Sequence, residues 1–418
     1  MFGKKKDKKV NLPKAKDASE EVELTDEELE DALAETNPYY ARVSSLYSTV
    51  RYLLFLVLIV LLTVTSIKNP DSITYDNLMF LFKDFASVAE TGLGDFDSFT
   101  YNPDANLTLS PFRKNMAMAS SSGLKILSGG GRVIFEDKSK FSAPHIEASD
   151  RYLLLYDFEG ESFSLYNSFA RIYTEKLEYD IVGGDVSSSG MFALVSKTKE
   201  YNSAVLLYGK NCKLRNRYLL DERVVDVSIN DEGSRICIIA FSAENSAFVT
   251  KIMISKPGES KAVAELKLSD VFPLACEFTY DGRLAVFCDK AIYFYDSDGN
   301  LIGNYTVSGD IEAVKMTPYG VAMSESKNAV TTESDVTVLG TKGDVVYSGT
   351  SDGRVLDIYY GNGYLFVLSD DYVSRTDVKR GDTVKKEIPG GASHMAVYSG
   401  EDVMVFMASR AEYYDFGK

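Results

Sequence analysis

Asp296, Asp298 and Asn300, in the run DSDGN, place side-chain oxygens at alternate positions, the spacing with which a calcium loop opens. The bidentate acid that such a loop needs downstream is missing, and Asp-Gly tolerates positive φ, so a hairpin turn is expected instead. His145 and His394 are the only imidazoles. Each is isolated, and they could share a site only if the chain closes on itself, so packing or surface roles are expected of both. Cys212, Cys237, Cys276 and Cys288 are too few and too scattered for a disulfide framework. Each reads as a buried small hydrophobe, although Cys276 and Cys288 fall on neighbouring expected strands and could pair. This inventory nearly excludes zinc chemistry. SGGGR from Ser128 is a Gly-rich turn with no helix behind it to hold phosphate, and no G-x-S-x-G, H-E-x-x-H or Walker sequence occurs. No catalytic, cofactor-binding or metal-ligating residue is therefore assigned. The sequons at Asn106 and Asn304 would be acceptors only in a glycosylating compartment.

The elements that must position these residues are short strands. From about residue 96 onward, apolar or alternating runs are separated by Gly, Asp, Asn and Ser clusters. A strongly apolar strand recurs as KNMAMAS, RYLLLYD, GMFALVS, SRICIIA, GRLAVFC, GVAMSES, GYLFVLS and DVMVFMA, spaced 36 to 48 residues apart. That period suits a four-stranded propeller blade, repeated about eight times. The clearest unit reads PLACEFTYDG, RLAVFCDK, AIYFYDSDG and NLIGNYTVS, with turns at Asp281-Gly282 and Asp298-Gly299. The last unit, HMAVYSG, DVMVFMAS and RAEYYDF, has only three strands, so DSFTYN at 97–102 is expected to supply the fourth and close the ring. Two tandem β-sandwiches are the competing architecture, but eight similar units favour the propeller, with seven blades as the fallback count. Tyrosines such as Tyr293, Tyr295, Tyr359, Tyr360, Tyr413 and Tyr414 fit cross-strand packing, and some could line a binding face.

The chain has 418 residues, 45% of them hydrophobic and 25% charged, which is globular in type. Its formal net charge of -16 argues against nonspecific attraction to nucleic acid or to an anionic membrane surface. Ahead of the strands, YLLFLVLIVLLTVTSI runs without charge between Arg51 and Lys68. With the uncharged VSSLYSTV before it and Arg51 and Lys68 snorkelling, residues 45–67 are expected to cross a bilayer. A run with no polar face and no amphipathic period fits lipid better than a buried core helix does, and a cleaved signal peptide would not follow some fifty residues of chain. Positive charge on the amino side predicts a cytoplasmic amino terminus, with residues from about 68 onward outside, so the expected location is the plasma membrane, single-pass.

Residues 1–44 read as a charged, mostly disordered tail, basic over 1–16 and acidic over 17–35, with a short helix from Asp26 as a conceivable docking element. Residues 68–95 carry Leu78, Leu81, Phe82, Phe85 and Val88 at helical spacing and are expected to form a short amphipathic stalk or lid helix packed on the next domain. The expected fold class is therefore all-β, a propeller at 96–418 preceded by one transmembrane helix and one amphipathic helix.

INDEGSRICIIA and FTYDGRLAVFC resemble the strand-DG-strand repeat of WD-repeat and TolB-type propellers, and AIYFYDSDGNLIGNYTV resembles the blade signature of quinoprotein-like propellers. Quinoprotein dehydrogenases carry recurrent tryptophans and this chain has none, so no quinone site is carried over. The whole layout resembles single-pass, membrane-anchored bacterial propeller proteins. That resemblance implies a fold and a location and no activity. The expected function is noncatalytic binding or scaffolding of an envelope protein, peptide or glycan, without cofactor, metal or nucleic acid. The alternatives are a hydrolase or lyase using carboxylates in a central channel, and a transmembrane sensor coupling outside binding to the tail.

Overall fold

The computed structural model describes residues 46–47, 49–60, 63, 97–102, 106–167, 170–244, 247–259, 261–326 and 333–417. The chain divides into two units, Met1–Ile73 and Thr74–Lys418. In the first, the described residues are helical and exposed. Among the described residues no helix is long and apolar enough to cross a membrane. Arg51 lies on this helix, whereas Lys68 lies outside the described residues, as do the expected tail over 1–44 and the stalk helix over 68–95.

The second unit contains eight four-stranded antiparallel sheets. Seven are meanders of consecutive strands, and each begins with an inner strand: β2 (Thr108–Phe112), β6 (Pro144–Ala148), β10 (Ile181–Val186), β14 (Arg223–Ile229), β18 (Pro273–Phe278), β22 (Asp310–Thr317) and β26 (Val355–Gly361). The eighth begins with β30 (Ala392–Val397). Each inner strand touches the next, and β30 returns to touch β2, so the sheets close into an eight-bladed propeller.

The eight apolar runs read from the sequence are all second strands of blades, from β3 (Asn115–Ser120) to β31 (Asp402–Met407). A second strand is covered on both faces by neighbouring blades, which is why its run is continuously apolar. The outermost strands, such as β21 (Leu301–Thr306), alternate exposed and half-buried residues because one face meets solvent. The described core falls into eight apolar clusters, one at each blade interface. Phenylalanine and tyrosine fill these interfaces in a chain without tryptophan; Phe192 stacks on Tyr208 at 4.7 Å between ring centres, inside the seam of blades 2 and 3.

Ring closure falls where the three-stranded last unit required it. β1 (Phe99–Thr100) pairs antiparallel with β32 (Arg410–Asp415), Phe99 opposite Ala411. The Gly-rich SGGGR turn receives this strand. Asp97 N–H donates to the Gly129 carbonyl at 3.2 Å, and a Cβ at Gly131, whose φ is +77°, would stand 2.5 Å from Phe99. The turns at Asp281-Gly282 and Asp298-Gly299 also form, with Gly282 at φ 76° and Gly299 at φ 87°.

Candidate functional site: carboxyl groups along the propeller axis

An inner strand pairs with its own blade along one edge only, so N–H groups on its other edge need acceptors from elsewhere. Side chains of the preceding blade supply them. Asp185 of β10 accepts the Val186 N–H at 2.7 Å and, through its second oxygen, the Ile229 N–H of the next blade at 2.6 Å. Asp226 of β14 accepts Val227 N–H at 2.8 Å and Cys276 N–H at 2.9 Å. Asp357 of β26 does the same with Ile358 at 2.8 Å and Met395 at 2.9 Å. Asp226 and Asp357 each follow a β-bulge, whose extra twist helps to aim a side chain at the neighbouring blade. Glu312, within the bulge of β22, accepts the Ser334 hydroxyl at 2.5 Å and the Val355 N–H at 3.2 Å. These carboxyls are spent on stitching blades together.

Glu147 and Glu277 are different. Ile146 and Ala148 pack into the seam of blades 1 and 2, so Glu147 leaves β6 on the opposite face. Cys276 and Phe278 pack into the seam of blades 4 and 5, so Glu277 likewise leaves β18 on its other face. Neither glutamate accepts a hydrogen bond from the described residues. Yet Glu147, Asp185, Asp226, Glu277 and Lys315, from blades 2 to 6, share one electrostatic field. Blades 2 and 6 stand opposite each other in a ring of eight, so this field runs across the axis.

Burial pushes the Glu147 carboxyl up to about 8, and the charges of Asp185 and Asp226 push the same way against Lys315. Burial also holds Glu277 well above the usual carboxylate range, with Asp185, Asp226 and Glu147 adding to it and Lys315 opposing. Asp185 is pushed up to about 7 and Asp226 up to about 6 by burial, in each case against backbone N–H donors that favour the ionised form. One lysine among four acids leaves the axis short of positive charge.

The inner strands all run the same way, so their ends gather at one mouth of the channel. There the Tyr280 and Tyr319 rings meet edge to face at 4.7 Å, and Tyr280 is 54% exposed. Tyr359 lies within range of Tyr319 and Asp150, and burial pushes its phenol up to about 12. Asp231 follows the inner strand of blade 4 and accepts the Ser188 hydroxyl at 3.0 Å. At the opposite mouth, where inner strands start, lie the two histidines. His145 of blade 2 rests near Tyr156 and Phe158, and His394 of blade 8 stacks on Phe406 at 4.9 Å. Blade 1 separates them, each has its own aromatic partner, and burial lowers the basicity of both.

The other sequence candidates resolve into structural roles. The Asp296 carboxylate accepts the Asp298 and Asn300 N–H groups at 2.9 and 2.8 Å, closing a hairpin turn. Among the described residues no three acids, imidazoles or thiols are grouped to hold a metal ion. All four cysteines are free, so Cys276 and Cys288 do not pair: Cys276 stands opposite Val286, and Cys288 opposite Pro273. A hollow of about 410 Å³ on the outer rim of blades 2 and 3 is lined by Tyr173, Glu175 and Tyr208, but both phenols already donate to Glu175, at 2.8 and 3.2 Å. The axial acids went unassigned in sequence because each is the single acid of its own strand. The stitching aspartates do leave a signal, an Asp followed by Val or Ile in GDVS, VDVS and LDIY on inner strands, whereas Glu147 in IEAS and Glu277 in CEFT leave none.

Comparison with solved structures shows the same fold at low identity. Sqt1 from Saccharomyces cerevisiae matches with a TM-score of 0.56 at 10% identity, over 78% of this chain and 100% of that one. BamB from Moraxella catarrhalis matches with a TM-score of 0.52 at 12% identity, over 78% and 100%. Chaetomium thermophilum Sqt1, in a structure bound to the N-terminus of the ribosomal protein L10, matches with a TM-score of 0.50 at 11% identity, over 77% and 100%. No curated protein matches the sequence. A family model does match, over residues 99–413, which span β1 to β32 and every axial acid, and the chain therefore belongs to the family of unknown function DUF5711.

Proposed function

We propose that this protein is a membrane-anchored, extracytoplasmic binding or scaffolding module that holds an envelope protein, peptide or glycan at one face of its propeller. The observation that carries this reading is the division of labour among the axial carboxyls. Asp185, Asp226 and Asp357 tie neighbouring blades together, while Glu147 and Glu277 accept no hydrogen bond from a described residue. A closed ring of tied blades with unspent polar groups is organised to receive a ligand. The propeller of Chaetomium thermophilum Sqt1, bound to the N-terminus of the ribosomal protein L10, gives precedent for a peptide ligand on this fold. Anchoring rests on the uncharged run between Arg51 and Lys68.

A photoreactive residue at position 280, in the full-length chain in its native membrane, tests the reading. Adducts from position 280 that are absent from a control at position 345, on an outer strand, are expected; equal labelling from both sites would sink it. Protease added outside intact cells should remove the propeller, and a protected propeller would reverse the orientation.

A second reading, a carboxyl-based hydrolase or lyase, is favoured by one observation. Glu147 and Glu277, the two axial acids that accept no hydrogen bond from a described residue, act on each other's charge, and a pair of uncommitted carboxyls is what general acid and base chemistry uses. Loss of turnover in Glu147→Gln with ligand binding retained would select this reading over the first.

A further inference from the structure

We propose that the cleft between the outer edges of blades 2 and 3 is a docking groove for an extended acidic peptide of a partner protein, one that alternates apolar and acidic side chains, with Arg217 as its central anchor. The inference goes beyond the face-binding reading, because this cleft lies on the rim of the ring and shares no residue with the mouth around Tyr280.

Strand pairing builds the groove. Blade 2 ends in β9 (Arg171–Lys176), and blade 3 ends in β12 (Ser203–Tyr208) and β13 (Leu214–Leu220). Ala204 stands opposite Leu219 and Leu206 opposite Arg217, and Leu206 packs into the seam of blades 2 and 3, so all four side chains look toward blade 2. Two hollows, of about 410 and about 270 Å³, follow this face and share Leu177, Glu178, Leu206 and Arg217. The first reaches Cys212, just past the end of β12, and the second reaches Tyr201, just before its start, so together they run the length of that strand.

Three observations select the occupant. The first is charge. From Lys197 to Arg217 the chain carries six cations and one acid, against 45 and 61 over its whole length. Of the cations that line the hollows, Lys176 pairs with Glu161 at 2.8 Å and Lys197 with Asp180 at 3.0 Å, whereas Lys199, Lys213 and Arg217 form no ion pair with a described acid. Glu175 is committed to the Tyr173 and Tyr208 phenols, and with Glu178 and Glu200 it completes the acids of the lining, which is therefore net positive in an acidic protein. A guanidinium without a carboxylate accepts one in a strong bidentate pair.

The second observation is apolar surface. Leu214 is 45% and Leu219 46% exposed, each in a hollow with Leu177. They favour a ligand with apolar side chains, which an acidic peptide carries and an anionic polysaccharide lacks. The third is backbone. β9 and β13 are the outermost strands of their sheets, and each leaves a row of N–H and C=O groups without a described strand partner beside the cleft. An extended peptide pairs with such a row and places alternate side chains in the groove. Seven residues, the length of β13, span about 23 Å.

Fluorescence anisotropy of the full-length chain in a nonionic detergent tests the proposal. The probe is a fluorescein-labelled heptapeptide that alternates leucine with aspartate, and the control replaces each aspartate by asparagine. Saturable 1:1 binding of the acidic peptide is expected, weakened by added salt, with the control binding about tenfold more weakly or not at all. Arg217→Ala should weaken binding about tenfold, and Lys199→Glu with Lys213→Glu about as much. Leu219→Ser should weaken it severalfold, which separates a groove from general attraction to a positive surface. All four positions are exposed, so none of these changes should move the melting temperature. Cys212, which lines the first hollow, should be alkylated more slowly when the peptide is saturating. Failure of the acidic peptide to bind, equal binding of the control, equal affinity in Arg217→Ala, or unchanged labelling of Cys212 overturns the proposal, as does binding of polygalacturonate with none of the peptide. Adducts at position 280 report on a different surface and decide the face-binding reading separately.

Discussion

The Asp226 carboxylate accepts the Cys276 N–H from the neighbouring blade at 2.9 Å, and through its other oxygen holds its own strand's Val227 N–H at 2.8 Å. One side chain thus ties β14 to β18 where no strand ladder joins them. Asp226→Ala would leave two backbone donors short of a partner. The expected cost is about 1–3 kcal/mol, read as a lower melting temperature, with Asp226→Asn costing less because it keeps one acceptor. An unchanged melting temperature in the Ala variant would show that the stitch carries no weight.

The raised axial acids set the direction of the stability profile. Their folded affinities for protons exceed those of the unfolded chain, so the stabilisation is full below about pH 4. It is lost as pH rises through the folded values, about 6 for Asp226, about 7 for Asp185 and about 8 for Glu147, with Glu277 acting in the same direction. Melting temperature should therefore fall between pH 5 and pH 8.5. Replacing Glu147 and Glu277 by Gln should flatten that fall, and an equally steep profile in the double variant would place its source elsewhere.

Ring closure makes its own prediction. Phe99 packs with Tyr101 and Phe406 in the seam of blades 8 and 1, and the SGGGR turn leaves room for it. Phe99→Ala should cost about 2 kcal/mol, below the ~3–5 kcal/mol of a fully buried phenylalanine, because Phe99 is only half-buried. Gly131→Ala should weaken the same closure through positive φ and the missing space. Deleting residues 97–101 should expose the edge of β32 and produce concentration-dependent association on size-exclusion chromatography. A monomeric deletion variant with unaltered melting would contradict a closing role for β1.

The thiols should be inert in the folded protein. Burial pushes Cys212 up to about 11 and Cys288 up to about 12, and Cys237 and Cys276 are buried in the same seam as Cys288. Alkylation at pH 7.5 should be slow, with half-buried Cys212 reacting first, and all four should react after denaturation. Mass spectrometry of intact and unfolded protein reads both states. Rapid labelling of Cys276 in the native chain would mean that the seam of blades 4 and 5 opens.

Blade count and closure were legible in the amino-acid order for a local reason. A second strand covered on both faces must be apolar throughout, as LAVFC and ICIIA are, and a three-stranded last unit must find its fourth strand elsewhere. The hairpin turns were legible because Gly282 and Gly299 serve conformations that other residues resist.

The axial site was not legible. Glu147, Asp185, Asp226, Glu277 and Lys315 sit one to a blade on strands whose alternation looks like that of any half-buried strand. Nor does sequence separate a stitching acid from an unspent one. Asp226 is spent because a bulge aims it at Cys276 N–H, and Glu277 is unspent because its two neighbours face the other seam. The order of residues by itself determined the number of blades and how the ring closes, since both follow from local burial and unpaired edges. Only the tertiary structure decided which acids meet at the axis, because electrostatic fields act through space and the ring alone makes blades 2 and 6 neighbours across it.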